Sequence, residues 1–503
     1  MDSTSVFYCI LALVPLLYLI KSQTTSVGSR YDGLRLPPGP WKLPVIGSLH
    51  HMLRAQPHRV LRELSRRHGP LMSLEFGELP VIVASSREAA EEVMKTNDAF
   101  LASRPQTTTV KIMRKQGDDF SLAPYDNHWR QLRKITTVEL LSAKRVQSFW
   151  AIREEEVMRL VQAISSATTP AVNLSELVTS YGNDVGAHTI MSDRLSDRNA
   201  FMRYVTEAIK LAGTFRLADL YPSSRLACAM SRTILSKIEV FMDGLFKFMD
   251  GIISEHGERR TQEDSEDLID VLLRIQKQGG LEPPLTMGNI KSVLLNLLVG
   301  STDTMPSVLQ WAMAELMRNP EAMSKAQSEV RKAFMGQMKV TEEGLTKLSY
   351  LHWVIKETLR LHPPSPILLP RESQETCRVL GYDVPKGTIV LVNAWAISRD
   401  AEYWDEPEVF KPERFETDKR DFKGRDFEFT PFGAGRRICP GIVFGLAAIQ
   451  LALANLLFYF DWNLLEGVSE LDMEETMGIT AKMKTDIWLK PVQRVPFVST
   501  SVE

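Results

Sequence analysis

The chain has 503 residues, is 44% hydrophobic and 24% charged, and carries a formal net charge of −2. This is ordinary globular composition, and the near-neutral balance gives a nucleic-acid partner no support from a global positive field. Length sets a soft prior of about three domains, but one helical enzyme domain with long connections also reaches this size.

The first element is an uncharged apolar run, Val6 to Ile20. As a helix it spans about 22 Å, somewhat short of the roughly 30 Å hydrocarbon core, so a single span needs Ser3 to Ser5 and local thinning. The competing reading is a cleaved signal peptide. Against cleavage, Lys21 and a polar stretch follow with no clear A-x-A-like site. Asp2 precedes the run while Lys21, Arg30 and Arg35 follow it, a bias that places the body on the cytosolic side. Residues 1–22 are therefore read as an uncleaved anchor. Residues 23–47 form a polar linker and a proline-rich hinge, Leu36 to Pro40 followed by Trp41 to Gly47. The prolines make that hinge stiff and extended, and a generic proline-rich linker has the same composition.

Residues 48–503 read as one body, with no repeat or low-complexity block. Amphipathic helices are expected at Arg59 to His68, Arg87 to Lys95 and Lys237 to Ile253. Short strands are expected at Leu71 to Phe76, Val81 to Val83 and Thr388 to Val392. The charged segments Glu255 to Asp267 and Glu416 to Glu428 read as surface loops. The fold class is mainly α with a minor β part, in a single large domain.

Within that body several patterns carry chemistry. Trp129 and Arg133 lie one helical turn apart, a pairing that is often only packing. Arg130, Lys134, Lys144 and Arg145 add positive charge nearby, either a solvated helix face or a seat for an acidic partner. Leu294 to Met317 reads as a long apolar helix in which Asp303 stands beside Thr304. A threonine there bonds back to the carbonyl four residues earlier, and Pro306 cannot donate to the carbonyl of Thr302, so a local kink is expected. Glu357 and Arg360 share a helix face at i and i+3, by itself a weak surface pair.

The cysteines Cys9, Cys228, Cys377 and Cys439 are far apart, which points to a reducing compartment rather than a disulfide scaffold. No CxxC, HExxH or clustered Cys/His set occurs, against zinc. A metal bound here needs a single cysteine and a prosthetic group. Phe429 to Gly441, FTPFGAGRRICPG, sets Cys439 among Gly433, Gly435, Gly441 and two arginines, before the apolar helix Ile442 to Tyr459. Glycines allow close backbone approach to a flat ligand, and arginines with a helix start favour a thiolate. A lone cysteine is still more often a packed core thiol. A dinucleotide loop is rejected because the third glycine of that fingerprint is missing.

The spacing Phe432-x-x-Gly435-x-Arg437-x-Cys439-x-Gly441 resembles the haem-binding loop of the cytochrome P-450 superfamily at every fixed position. The proline hinge, Trp311 to Pro320 and the cysteine loop are similar to plant microsomal members. The resemblance implies a haem-enclosing domain with haem b and Cys439 as the iron ligand, whose electron donation favours O–O cleavage. It implies haem-propionate contacts from Trp129, Arg133, Arg371 and Arg437, with Phe432 and Gly441 against the cofactor. Glu357, Arg360 and Arg414 would form a structural ion-pair network, and Asp303 with Thr304 would supply protons to bound dioxygen. Ser301 stands where that family usually has glycine.

The function this implies is an NADPH- and O2-dependent monooxygenase of a lipophilic small molecule, anchored in the endoplasmic reticulum membrane with a cytosolic body. Electrons would come from a membrane flavoprotein reductase, since the chain lacks flavin and nicotinamide fingerprints. The preferred substrate is a plant terpenoid, from the aliphatic Pro364 to Leu369 stretch and from Met473, Met477 and Met483, which suit an aromatic or alkaloid substrate too. The rival readings are a reductase-independent haem-thiolate lyase or isomerase and a non-catalytic haem protein.

Overall fold

The computed structural model describes residues 33–52, 56–192, 198–213, 216–259, 266–476 and 478–496. The apolar run at Val6 to Ile20 and Met477 lie outside them. The hinge does not float free of the body. Ser73 N donates to Pro38 O (2.8 Å) and Asp383 N to Arg35 O (2.7 Å), so 35–38 is strapped across the sheet. A Cβ at Gly39 would fall 1.9 Å from Ser73 O, so only glycine lets the strap lie this close.

Helix α1 (Pro57–His68) starts on a proline, which needs no N–H there, and ends at Gly69 with φ of 102°. Strands β1 (Leu71–Phe76) and β2 (Leu79–Ala84) pair antiparallel across Gly77. Helix α2 (Arg87–Glu91) widens into a π turn, Glu92–Thr96. Helix α3 (Asn127–Lys134) is capped by Asp126, whose carboxylate accepts from Trp129 N at 2.7 Å. Helix α4 (Trp150–Ser165), β3 (Val172–Asn173) and helix α5 (Leu174–Met191) follow.

Next come helices α6 (Arg198–Ala212) and α7 (Arg225–Arg259). The loop expected from Glu255 is a correction here: α7 runs on to Arg259, with Glu255 and Glu258 exposed on its last turns. Asp267 then caps α8 (Leu268–Gln278) through Asp270 N. Helix α9 (Met287–Arg318), capped by Thr286, passes without interruption through Pro306. Helices α10 (Pro320–Ala333) and α11 (Ser349–Leu361) pack beside it.

Strands β4 (Arg371–Glu372), β5 (Cys377–Val379), β6 (Tyr382–Val384) and β7 (Ile389–Val392) then form. The main sheet has the order β1-β2-β7-β4, with β2 and β7 parallel. Helix α12 (Ile442–Tyr459) is long and apolar enough to cross a membrane, yet it is a core helix, buried from Leu451 to Tyr459. Strands β8 (Phe460–Asn463) and β9 (Trp488–Gln493) close a second sheet with β3. The largest hydrophobic core joins α4, α5, α9, α10, α11 and α12. The architecture is the expected one, mainly helical with a minor sheet part.

Candidate functional site

The cysteine loop is shaped by its backbone. Gly433 and Gly435 both have φ of 67°, where a Cβ is disfavoured. A Cβ at Gly435 would also lie 2.1 Å from Met94 O. Asp98 holds the loop from below: Arg371 Nη1 and Arg436 N donate to its two oxygens at 2.7 and 2.8 Å. Cys439 N donates to Phe432 O at 3.0 Å, and Arg133 donates to the carbonyl of Ile438. Burial pushes the Cys439 thiol pKa up, while the Gly441 N–H and the Arg133 charge pull it down. The residue nevertheless keeps accessible surface. The residue is therefore not fully sealed in the core.

A matching open stripe runs along α9. Most of this helix is sealed, including Ser301 to Asp303 and Met305 to Leu316, but Gly300 and Thr304 are exposed and Asn296 is half-buried. Those three recur every four residues, one face of the helix. Thr304 Oγ1 donates to Gly300 O at 2.6 Å, the back-bond expected from sequence. Just beyond the stripe α9 meets α12, where a Cβ at Gly445 would come 3.8 Å from Met305 Cγ. The open stripe and the cysteine loop thus flank one helix crossing.

The two departures in α9 are accommodated by its neighbour α5. A Cβ at Gly186 would lie 2.1 Å from Ser301 Oγ, and one at Gly182 2.7 Å from Pro306 Cγ. Glycine at both positions makes room for the serine and the proline. Ser301 Oγ donates to Leu298 O at 2.9 Å. Asp303 is buried and its partner is Lys482, an ion pair sequence reading did not foresee.

Four arginines converge beside the cysteine loop. Arg104, Arg371 and Arg437 are all buried, and Arg133 stands close enough to affect two of them. Burial depresses the Arg437 pKa to about 9, helped by repulsion from Arg371, and drives Arg104 well down with repulsion from Arg437 and Arg371. Most of their N–H groups point at carbonyls: Arg437 at Ala102 O, Phe120 O and Ala123 O, and Arg104 at Ser121 O, Leu369 O and Pro370 O. Arg437 stacks on the Trp129 ring at 4.2 Å, and Trp129 Nε1 donates to Phe120 O at 2.9 Å. Asp119 partly offsets Arg104 and Arg437, and Asp98 pairs with Arg371; the cluster still holds more buried cations than anions, and propionate carboxylates fit that surplus. With an accessible cysteine beside glycine backbone and an open α9 face, the residues present fit a thiolate-ligated haem.

Glu357, Arg360 and Arg414 meet in the interior. Arg360 makes paired 2.8 Å bonds to Glu357, and Arg414 Nε donates to it at 2.9 Å. Of the residues expected to line an apolar pocket, Leu368 lies near Gly433, where an added Cβ would come 3.7 Å from Leu368 Cδ1. Met483 is 7% exposed within the main core, because the hairpin bearing it folds back on α9. Arg145 binds Glu266 at 2.9 Å, which leaves Arg130, Lys134 and Lys144 as the exposed cations of the basic face. Arg104, Asp98, Lys482, Gly182 and Gly186 were missed from sequence, where an arginine before Pro105 was the only local signal among them.

Comparison with known proteins agrees with this geometry. The cytochrome P-450 family model matches residues 37–489. The chain is 45% identical to desmethyl-deoxy-podophyllotoxin synthase of Sinopodophyllum hexandrum, over 96% of this chain and 95% of that protein. It is 45% identical to ent-cassadiene hydroxylase of Oryza sativa subsp. japonica, over 97% of each. A zebra fish cytochrome P-450 solved with abiraterone superposes with a TM-score of 0.74 at 24% identity, covering 87% of this chain and 99% of that one; this likeness shows the fold. The chain belongs to the cytochrome P-450 family and is a haem-thiolate monooxygenase of lipophilic substrates.

Proposed function

We propose that this enzyme uses NADPH, delivered through a membrane flavoprotein reductase, to hydroxylate a plant terpenoid. The observation that carries the reading is the open Asn296–Gly300–Thr304 stripe of α9 beside an accessible Cys439. Cys439 would hold the iron, and Arg104, Arg371, Arg437, Trp129 and Arg133 the propionates. When bound, the haem supplies oxygen activation, and thiolate donation favours O–O cleavage.

The chain's own residues do the rest. Thr304 Oγ1 gives its proton to Gly300 O, so at rest it offers the open space a lone pair that can fix a proton-bearing water. Asp303, next along the helix, is the exchangeable acid that replaces protons consumed there. Positioned proton transfer of this kind contributes about 10²–10⁴-fold. Leu368 and its aliphatic neighbours exclude water from the reacting carbon. The exposed Arg130, Lys134 and Lys144 seat an acidic electron donor by charge. An N-terminal anchor at residues 1–22 would keep the enzyme at the endoplasmic reticulum membrane beside that donor. A relative named for ent-cassadiene hydroxylation supports a terpenoid substrate.

The test is to incubate the full-length protein with reductase in membranes against a panel of terpenes, fatty acids and phenolics. A hydroxylated terpene formed only with NADPH is expected. Product formed without NADPH, or from phenolics alone, would overturn the assignment.

A further inference from the structure

Asp303 sits in an unusual place for a carboxylate. It is 3% exposed, and apart from the lysine described next no described residue donates a hydrogen bond to either oxygen. Among the described residues its one charged contact is the ammonium of Lys482, whose side chain is 42% exposed. The pair therefore reaches from the surface to the helix turn that carries Thr304.

Lys482 is held over that turn by a hydrogen-bonded pair of segments, 474–476 and 482–484. Thr476 N donates to Lys482 O and Lys484 N to Glu474 O, both at 2.8 Å, and Glu475 bridges Met483. The carbonyl before Lys482, Ala481 O, is bonded to α9 by Trp311 Nε1 at 2.9 Å and by Ser307 Oγ at 3.3 Å. At the hairpin's other strand, Glu475 meets His58 at 2.9 Å and Gln56 Nε2 donates to Glu475 O at 2.6 Å. Two elements distant in the chain are thus locked so that one cation meets one buried acid.

We propose that Lys482 is a positioning residue for proton delivery, fixing the orientation of the Asp303 carboxylate beside a solvent-reaching ammonium. This rests on the reading of Asp303 and Thr304 as proton carriers. Without the ammonium, the buried carboxylate loses the one counter-charge it has among the described residues and is no longer held in this orientation. That loss interrupts its recharging.

The experiment uses the full-length haem-loaded enzyme with reductase, as Lys482→Met, Lys482→Arg, Asp303→Asn and the double variant Lys482→Met/Asp303→Asn. Haem loading is checked from the reduced carbon monoxide spectrum. Lys482→Met is expected to lower product formed per NADPH oxidised by about three- to tenfold, within the ceiling for positioned proton transfer. Lys482→Arg should restore most of it. In the Asp303→Asn background Lys482→Met should change nothing further, and the thermal midpoints of the unsubstituted enzyme, Lys482→Met, Asp303→Asn and the double variant should be non-additive. Equal uncoupling by Lys482→Met in both backgrounds, or additive midpoints, overturns the proposal by assigning Lys482 to the pocket wall. Uncoupling by Asp303→Asn but not by Lys482→Met overturns it alone. Full coupling in Asp303→Asn overturns the proton-carrier reading, and this proposal with it.

Discussion

Gly186→Ala tests whether α5 and α9 are matched at Ser301. The added methyl would lie 2.1 Å from Ser301 Oγ and 2.8 Å from its Cβ, too close for either to stay. Overpacking of this kind costs about 1–3 kcal/mol. If the serine turns away it also gives up its bond to Leu298 O, worth about 1 kcal/mol. Alanine returns about 1 kcal/mol over glycine inside a helix, which offsets the lost hydrogen bond, so the net loss is about 1–3 kcal/mol. In a Ser301→Gly background both clashing atoms are gone and the same substitution should stabilise, by about 1 kcal/mol. The sign of one mutation thus reverses with its neighbour. Urea unfolding of the four haem-loaded proteins, followed by far-ultraviolet circular dichroism, measures this. An effect of Gly186→Ala that agrees within about 0.5 kcal/mol in the two backgrounds would refute the reasoning. Because Ser301 lies in the turn before Thr304, Gly186→Ala should also lower product per NADPH oxidised, and Ser301→Gly should restore it.

Cys439→Ser should abolish the thiolate-type carbon monoxide spectrum of the reduced protein, and an unchanged spectrum would end the ligand assignment. Glu357→Ala leaves Arg360 and Arg414 without their buried anion and should cost about 3–5 kcal/mol, read as a lowered urea midpoint. Burial pushes the Glu475 carboxyl pKa up, but His58, Arg59 and His362 outweigh it and hold it at about 2, against an ordinary 4.5. A lowered folded-state pKa gives stability that is present above 4.5 and lost as pH falls towards 2, about 3 kcal/mol in all. Glu475→Gln should therefore flatten the acid limb of the stability profile, and an unchanged limb would show that other groups set it. Deleting residues 1–22 should leave haem binding intact while weakening membrane association; a truncated chain that fails to bind haem would give that segment a structural role.

Patterns whose cause is local were legible in the sequence. Leu71–Phe76 alternates as a strand must, and Ile442–Tyr459 is apolar along a helical length after a glycine. The cysteine loop carries its own glycines because its left-handed turns are set by adjacent residues. Thr304 bonds back to Gly300 for the same reason, both being on one helix. Charge runs were read less well, since Glu255 to Arg259 looks alike as a loop or as the wet face of α7. What only the tertiary structure decided are contacts between segments remote in the chain. Gly182 and Gly186 have no meaning until α5 lies against Ser301 and Pro306. Arg104 is one arginine among many until folding buries it with Arg371 and Arg437. Lys482 reads as a surface lysine until its hairpin is bonded to Trp311 and Ser307, which carries the ammonium to Asp303. Periodicity and turn chemistry act over a few residues, whereas close packing and uncompensated charge arise only when distant surfaces meet.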